Sequence, residues 1–418
     1  MKIIHTADWH LNHRLGKIDR TQDLQDRVVK VAEYCQTHDV DVLLIAGDLF
    51  ESEAKDIEIK ESLAHVKSTF ANFFARGGII LAVTGNHDRD QKIDVIRAGM
   101  QLASPSPRAN QCLEPGRMYL LNGMFTARIR DPQGQMVQFV CVPYPYASRY
   151  QISTDEYRSR EEENRQLQSR VNELMRIKAS ELDSAFPTVL VAHLNVSGAE
   201  VHSLYKMTER DDVLFQYADL HPNWAYVALG HIHKPQMLGG ASHVRYSGSL
   251  DRLDFGDTHD EHGVIYFEIN GGNTVDPVRL PIPGTPFLTI DISDPDTELE
   301  LLKEKYPNYQ HAIVRIRIKF TDSRLSRDQI GRELRKVFSR IHQVEFLTAH
   351  ETSTNVTRTR DTDKETGKLE DQIDPLAIRN MGFATIVRQY VERELQNDSD
   401  EQAILQLLEQ FITMDTQS

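Results

Sequence analysis

Apolar runs and helix-spaced apolar positions alternate along the first ninety residues. "KIIHTA" (2–7), "DVLLIAGD" (41–48) and "IILAV" (79–83) are continuous apolar runs of strand length. Between them, Leu24, Val28, Val31, Ala32 and Cys35 recur at helical spacing, as do Ile59, Leu63, Val66, Phe70 and Phe73. Gly77-Gly78 closes the second helix. The order strand–helix–strand–helix–strand predicts a layered α/β fold.

Five further runs predict strands: "FVCVPY" (139–144), "TVLVAH" (188–193), "AYVALGH" (225–231), "HVRYSGS" (243–249) and "GVIYFEI" (263–269). Residues 155–183 hold eight acidic and six basic residues and read as a helix with a solvated face. The pattern changes at "LPIPGTPF" (280–287). In "AIVRIRIKF" (312–320), Val314, Ile316, Ile318 and Phe320 alternate with Arg315, Arg317 and Lys319, which predicts a strand with one buried and one cationic face. A helix is expected from Ser326 to Ile341. The polar stretch 351–372 reads as a linker. Helical spacing returns over 375–414, with Ile378, Phe383, Ile386, Val387 and then Ile404, Leu407, Leu408, Phe411.

Composition narrows the class. With 418 residues the chain can build more than one core. No run approaches the ~18 apolar residues of a membrane span. The start, "MKIIHTADWHLNHR", lacks the apolar core of a signal peptide. Three cysteines, Cys35, Cys112 and Cys141, have no metal-like spacing and suit free thiols in a reducing cytoplasm. The net charge of −14 argues against a broad, sequence-independent grip on nucleic acid. It leaves room for a local basic face: 312–345 carries nine basic and four acidic residues. No Gly-Lys-Ser/Thr occurs, so the chain has no P-loop of its own.

Polar groups collect where the predicted strands end. Asp8 and His10 follow the first strand, Asp48 ends the second, and Asn86, His87 and Asp88 follow the third. His193 ends "TVLVAH", and His231 and His233 end "VALGHIH". In layered α/β sheets, ligands gather at the carboxyl ends of parallel strands. Each pair alone is as well explained by structure. Together, Asp8, His10, Asp48, Asn86, His193, His231 and His233 point to one pocket. They are oxygen and imidazole donors without a thiolate, which suits Mn²⁺, Fe, Zn²⁺ or Mg²⁺. Seven donors exceed one tetrahedral ion and fit two ions bridged by a carboxylate, with Asp48 as the natural bridge. His5, His13, His38, His65, His202, His221 and His243 lack this context and receive no chemistry.

"DWH" (8–10), "GDLF" (47–50), "GNHD" (85–88), His193 and "GHIH" (230–233) resemble, in order, the five motifs of the calcineurin-like metallophosphoesterases. "HTADWHLN", "AHLNVSGAE" and "RYSGSLDRLDFGD" (245–257) are similar to one branch of that family, the nuclease subunits of bacterial SbcC–SbcD complexes. These are counterparts of the Mre-type double-strand-break repair nucleases. One departure stands out: Mre-type enzymes carry a histidine after "GDLF", where this chain has Glu51. No role is assigned to Glu51.

The resemblance implies a β-sandwich metallophosphoesterase core flanked by helices (1–285), a small α+β capping domain (286–350), a linker (351–372) and a helical partner-binding segment (373–418). It implies two divalent ions, Mn²⁺ first. Asp8, His10, Asp48 and His233 would hold one, and Asp48, Asn86, His193 and His231 the other. The pair would activate a water for in-line attack on phosphorus. His87 would act as general acid or charge stabiliser, oriented by Asp88. The implied activity is DNA cleavage in end processing, repair and recombination: double-strand exonuclease, and endonuclease on single strands and hairpins. The implied partners are DNA ends and hairpins, an SbcC-type, SMC-like ATPase bound through the C-terminal helices, and a second copy of the chain. No membrane is involved, and the setting is the cytoplasm, at the nucleoid. Arg315, Arg317 and Lys319, then Arg252, are the candidate DNA contacts. The alternative is a phosphodiesterase of the same fold acting on a small diester.

Overall fold

The computed structural model describes residues 1–103, 112–150, 152, 159–201, 212–220, 224–271, 273–274, 276–306, 311–319 and 324–347. The expected linker 351–372 and helical segment 373–418 lie outside the described residues.

The main elements run β1 (Lys2–Thr6), α1 (Thr21–Thr37), β2 (Val42–Ala46), α2 (Asp56–Thr69), α3 (Ala71–Ala75), β3 (Ile79–Val83) and α4 (Asp90–Ala103). Then come β4 (Met118–Leu121), β5 (Phe125–Arg130), β6 (Met136–Val142), α5 (Arg160–Ser180), β7 (Thr188–His193), β8 (Tyr226–Gly230), β9 (Gln236–Leu238) and β10 (Ala241–Tyr246). The last are β11 (Gly263–Asn270), β12 (Val278–Pro281), β13 (Phe287–Ile292), α6 (Pro295–Lys305), β14 (Ile313–Lys319), α7 (Arg327–Val337) and β15 (Arg340–Leu347).

Two sheets form the core. The first has the order β12–β11–β1–β2–β3–β4, with β1 to β4 parallel and β11 antiparallel to β1. The second has the order β9–β10–β8–β7–β6–β5, with β10, β8, β7 and β6 parallel. Period-2 alternation sorts the apolar side chains. Ile3, Val42, Leu44, Leu81 and Val83 meet Phe139, Val189, Val191 and Tyr226 between the sheets. Ile4, Leu43, Ile45 and Ile80 face outward onto Leu24, Val28, Ile59, Phe70 and Phe73 of α1 to α3. Val140, Leu190 and Leu229 face the other way, onto Leu167, Val171 and Met175 of α5. The result is a four-layer helix–sheet–sheet–helix stack. Burial on both faces explains why the strands read as continuous apolar runs.

Residues 287–347 build a second core. β13, β14 and β15 form a parallel three-stranded sheet, crossed by α6 and α7, around Ile290, Val314, Ile316, Ile330, Leu334 and Phe338. The expected helix Ser326–Ile341 is shorter than its apolar spacing implied. Ser326 caps it, accepting from the Gln329 amide at 3.3 Å, and the helix ends at Val337. Phe338 is buried, and the chain turns into β15, whose main chain pairs with β14. β13, α6, β4 and β5 are absent from the sequence reading.

Candidate metal centre

The pocket forms where the parallel strands of both sheets end. Asp8 and His10 leave β1, Asp48 leaves β2, Asn86 and His87 leave β3, His193 ends β7, and His231 and His233 leave β8. The backbone turns sharply there. Asp8 (φ 51°), His10 (43°), Asp48 (51°) and His231 (99°) adopt the left-handed region, which costs non-glycine residues about 1–3 kcal/mol each. Strain on four donors of one pocket is typical of a functional site. Close approach also demands glycine. A Cβ on Gly85 would lie 2.0 Å from Asp48 Oδ1 and 2.5 Å from its amide nitrogen.

All seven expected donors converge. His10 Nε2 lies 3.2 Å from His233 Nε2 and 3.5 Å from Asp48 Oδ2. His193 Nε2 lies 3.4 Å from Asp48 Oδ2 and 3.0 Å from Asn86 Oδ1, and His231 Nδ1 lies 3.0 Å from the same Asn86 oxygen. Ligand atoms of Asp8, Asp48 and His193 fall within 4.8 Å of one another, as do those of Asp8, His10 and His233. Asp48 stands between the two groups. Asp8 accepts from the His231 amide at 3.0 Å, and Asp48 from the His87 amide at 2.8 Å.

The electrostatics call for cations. Burial opposes charge on Asp48, but His193, His10 and His87 together hold its carboxyl below the usual range. Burial likewise pulls His193 down. The charges on Asp48 and Asp8 outweigh it and lift the imidazole to about 9. The pocket thus draws positive charge onto a fully buried ring. Two divalent ions fit this donor set: carboxylates, an amide oxygen and imidazole nitrogens at close range, without a thiolate.

His87 reaches the pocket from one side, and its ring Nδ1 donates to Glu51 Oε1 at 2.7 Å. Burial lowers the His87 pKa, but the Glu51 hydrogen bond and the Asp48 charge raise it to about 9. Asp88, expected to orient His87, is turned away. Its carboxylate accepts from the amides of Leu49 (3.1 Å), Phe50 (3.0 Å) and Gly85 (2.9 Å), and so ties the β2 turn to the β3 turn. Glu51 takes the place expected of Asp88. Its other oxygen accepts from His13 Nδ1 at 3.1 Å, and burial, the largest influence, is outweighed by its histidine neighbours, which keep the carboxyl far below the usual range.

Two further residues carry no signal in the sequence. His13 receives no chemistry there, yet it lines the cavity. Asp212 accepts from His231 Nε2 at 2.6 Å. The cavity measures about 270 Å³, and Leu253, Asp254 and Asp257 of the loop after β10 form one wall. The candidate DNA contacts do not line it. Arg317 pairs with Asp291 at 2.7 and 2.8 Å. Arg315 donates to Thr289 at 3.1 Å and lies 4.6 Å from the Phe255 ring centre. Arg252 donates to the Thr285 carbonyl at 3.1 Å, and Lys319 is exposed at the end of β14.

Residues 1–235 match the family model for calcineurin-like phosphoesterases. The chain is 27% identical over 292 residues to the SbcD subunit of nuclease SbcCD from Rhodobacter capsulatus, covering 68% of this chain and 69% of that protein. It is 23% identical over 310 residues to the protein of the same name from Staphylococcus epidermidis, covering 73% and 75%. It is 24% identical over 298 residues to that of Escherichia coli, covering 68% and 69%. With more than half its length in the family match, and with the donors of all five motifs gathered at the sheet ends, the chain belongs to the calcineurin-like phosphoesterases.

Proposed function

We propose that this chain is a dimetal-dependent DNA nuclease that works with an SbcC-type ATPase. The observation that carries the reading is the convergence of Asp8, His10, Asp48, Asn86, His193, His231 and His233 beside a carboxylate-held His87. Likeness to relatives named as the SbcD subunit of nuclease SbcCD supplies the substrate and partner.

Asp8, His10, Asp48 and His233 would hold one ion, and Asp48, Asn86, His193 and His231 the other, with Mn²⁺ the expected metal. Bound there, two divalent ions supply an activated water and neutralise charge on the phosphoryl oxygens. The protein's own groups set the stage. A carboxylate only accepts, so Glu51 keeps the His87 proton on Nδ1 and leaves Nε2 as the ring atom free to meet the substrate. His87 in its charged form can donate from Nε2 to the leaving oxygen. Asp88 acts through the backbone, by holding the Asp48 and Asn86 turns together.

DNA phosphates are assigned to Arg252, Arg315, Arg317 and Lys319. The Arg317–Asp291 pair is exposed, and such pairs are worth about 0–1 kcal/mol, so a phosphate can displace Asp291. The segment 373–418 is assigned to the ATPase partner. Pairing of two copies is assigned to the catalytic domain, where Val95 of α4 is 75% exposed. Among the described residues no helix is long and apolar enough to cross a membrane, in keeping with a site of action on cytoplasmic, nucleoid DNA.

The cavity volume suits a single nucleotide, which favours a second reading: hydrolysis of a small nucleotide diester. One experiment tests both. Mn²⁺-dependent cleavage of a labelled hairpin-ended duplex is compared with that of a small diester, with and without the ATPase partner and ATP. Cleavage of the duplex, lost in His87→Ala at unchanged metal content, is expected. Hydrolysis of the small diester alone would overturn the DNA assignment and keep the metal site.

A further inference from the structure

Among the donors, His231 is held differently. His193 Nδ1 donates to the Ala46 carbonyl at 2.7 Å, so its Nε2 lone pair faces the pocket. In His231 the roles of the two nitrogens are reversed: Nδ1 faces Asn86 and Nε2 points away, to Asp212 Oδ2 at 2.6 Å. A carboxylate cannot donate, so the ring proton resides on Nε2 and the Nδ1 lone pair is turned inward. Both residues are nearly inaccessible, Asp212 at 4% and His231 at 9%.

Asp212 is itself fixed. Its second oxygen, Oδ1, accepts from the Tyr144 hydroxyl at 2.7 Å and from the Val213 amide at 2.8 Å. The Asn164 side chain donates to its carbonyl at 3.2 Å. The Tyr144 ring also lies beside the His231 ring, with centres 5.6 Å apart. The whole assembly comes from α5, from the start of β6's exit loop and from the turn before residues 214–215, none of which supplies a metal donor. It serves a ring whose backbone is strained at φ 99° and would otherwise have two nitrogens to choose from.

We propose that Asp212 is a positioning residue for the second ion, the one assigned to Asn86, His193 and His231, and that it acts by selecting the His231 tautomer and strengthening Nδ1 as a donor. The inference rests on the dimetal reading. It makes the two ions unequal by construction. Asp212 serves one and has no contact with the other.

The test is a Mn²⁺ titration of metal-free full-length protein, read by the EPR signal of the free ion, for wild type, Asp212→Asn and Asp212→Glu. Melting curves of the metal-free proteins check that each is folded. Wild type should take up two ions. The isosteric Asp212→Asn should keep the first at unchanged affinity and bind the second about 10- to 100-fold more weakly. Asp212→Glu, which restores a carboxylate, should recover part of that loss even if its longer side chain lowers the melting temperature. Two ions bound by Asp212→Asn at wild-type affinity would overturn the proposal. So would equal loss in both variants, which would mark a role in shape alone. Uptake of fewer than two ions by wild type would overturn the dimetal reading itself, a result distinct from either.

Discussion

His87 and Glu51 face each other across 2.7 Å, and everything expected of the histidine depends on that contact. His87→Ala should lower kcat by about 10²- to 10⁴-fold, the usual range for a lost general acid, while Mn²⁺ uptake stays at wild type. Glu51→Gln should lower it less, because the ring remains but its proton is no longer fixed on Nδ1. Single-turnover assays beside metal analysis separate the two effects. Gly85→Ala should act on the metals instead. Its Cβ would collide with Asp48, and overpacking of this kind costs about 1–3 kcal/mol, so a weakened Mn²⁺ isotherm is the expected result. The seven donors were legible in the sequence because each sits within a few residues of an apolar run. Glu51 and Asp212 were not legible as functional, since their roles arise only when the fold brings distant turns together. Adjacency in sequence misled at Asp88: neighbouring side chains at a turn diverge, and its carboxylate closes on backbone amides.

At the scale of the element, β1 shows what the pattern conveys and what it leaves out. Its alternation places Ile3 between the sheets and Ile4 against the helices. His5 falls on the inter-sheet side, where its ring contacts the Tyr226 hydroxyl (3.1 Å) and the Leu229 carbonyl (3.2 Å). Burial lowers its pKa from 6.5 to about 3. The unfolded chain therefore takes up a proton below pH 6.5 that the folded chain refuses. Stability from this group is present above that pH and is lost as pH falls toward 3. Between about pH 6.5 and 5 the loss is about 1.5 kcal/mol. Urea unfolding of His5→Gln across that interval should show a correspondingly shallower decline than wild type. An unchanged slope would mean that His5 is protonated within the fold. Strands buried on both faces were easy to read. The strands β4, β5 and β13 were missed because they are short or mix polar with apolar positions, and only pairing identifies them.

For the whole molecule, the second core is tied to the catalytic core by charge as well as by chain. Arg20, fully buried, donates to Asp23 at 2.6 Å, to Asp251 at 3.0 Å and to the Arg252 carbonyl at 2.8 Å. Asp23 also accepts from Arg340, the first residue of β15, at 2.6 and 3.0 Å. Thr285, at the junction of the two cores, donates to Asp251 from its hydroxyl at 2.6 Å. In the same loop as Asp251, Phe255 meets one residue from each strand of the three-stranded sheet: Phe287, Arg315 and His342. Next to Phe255, Leu253, Asp254 and Asp257 wall the cavity. The loop is therefore fastened at one end to the second core and at the other to the pocket. Removing one partner of a buried pair leaves the other charge uncompensated, so Arg20→Ala should cost about 3–5 kcal/mol of stability. Arg340→Ala touches only the outer link, which is partly exposed, and should cost less. Its effect should fall on long substrates: slower cleavage of hairpin-ended DNA, with hydrolysis of a small diester and Mn²⁺ affinity as in wild type. Equal slowing on both substrates would show that the link sets the pocket itself. No change on either would show that the second core can loosen without consequence for the chemistry.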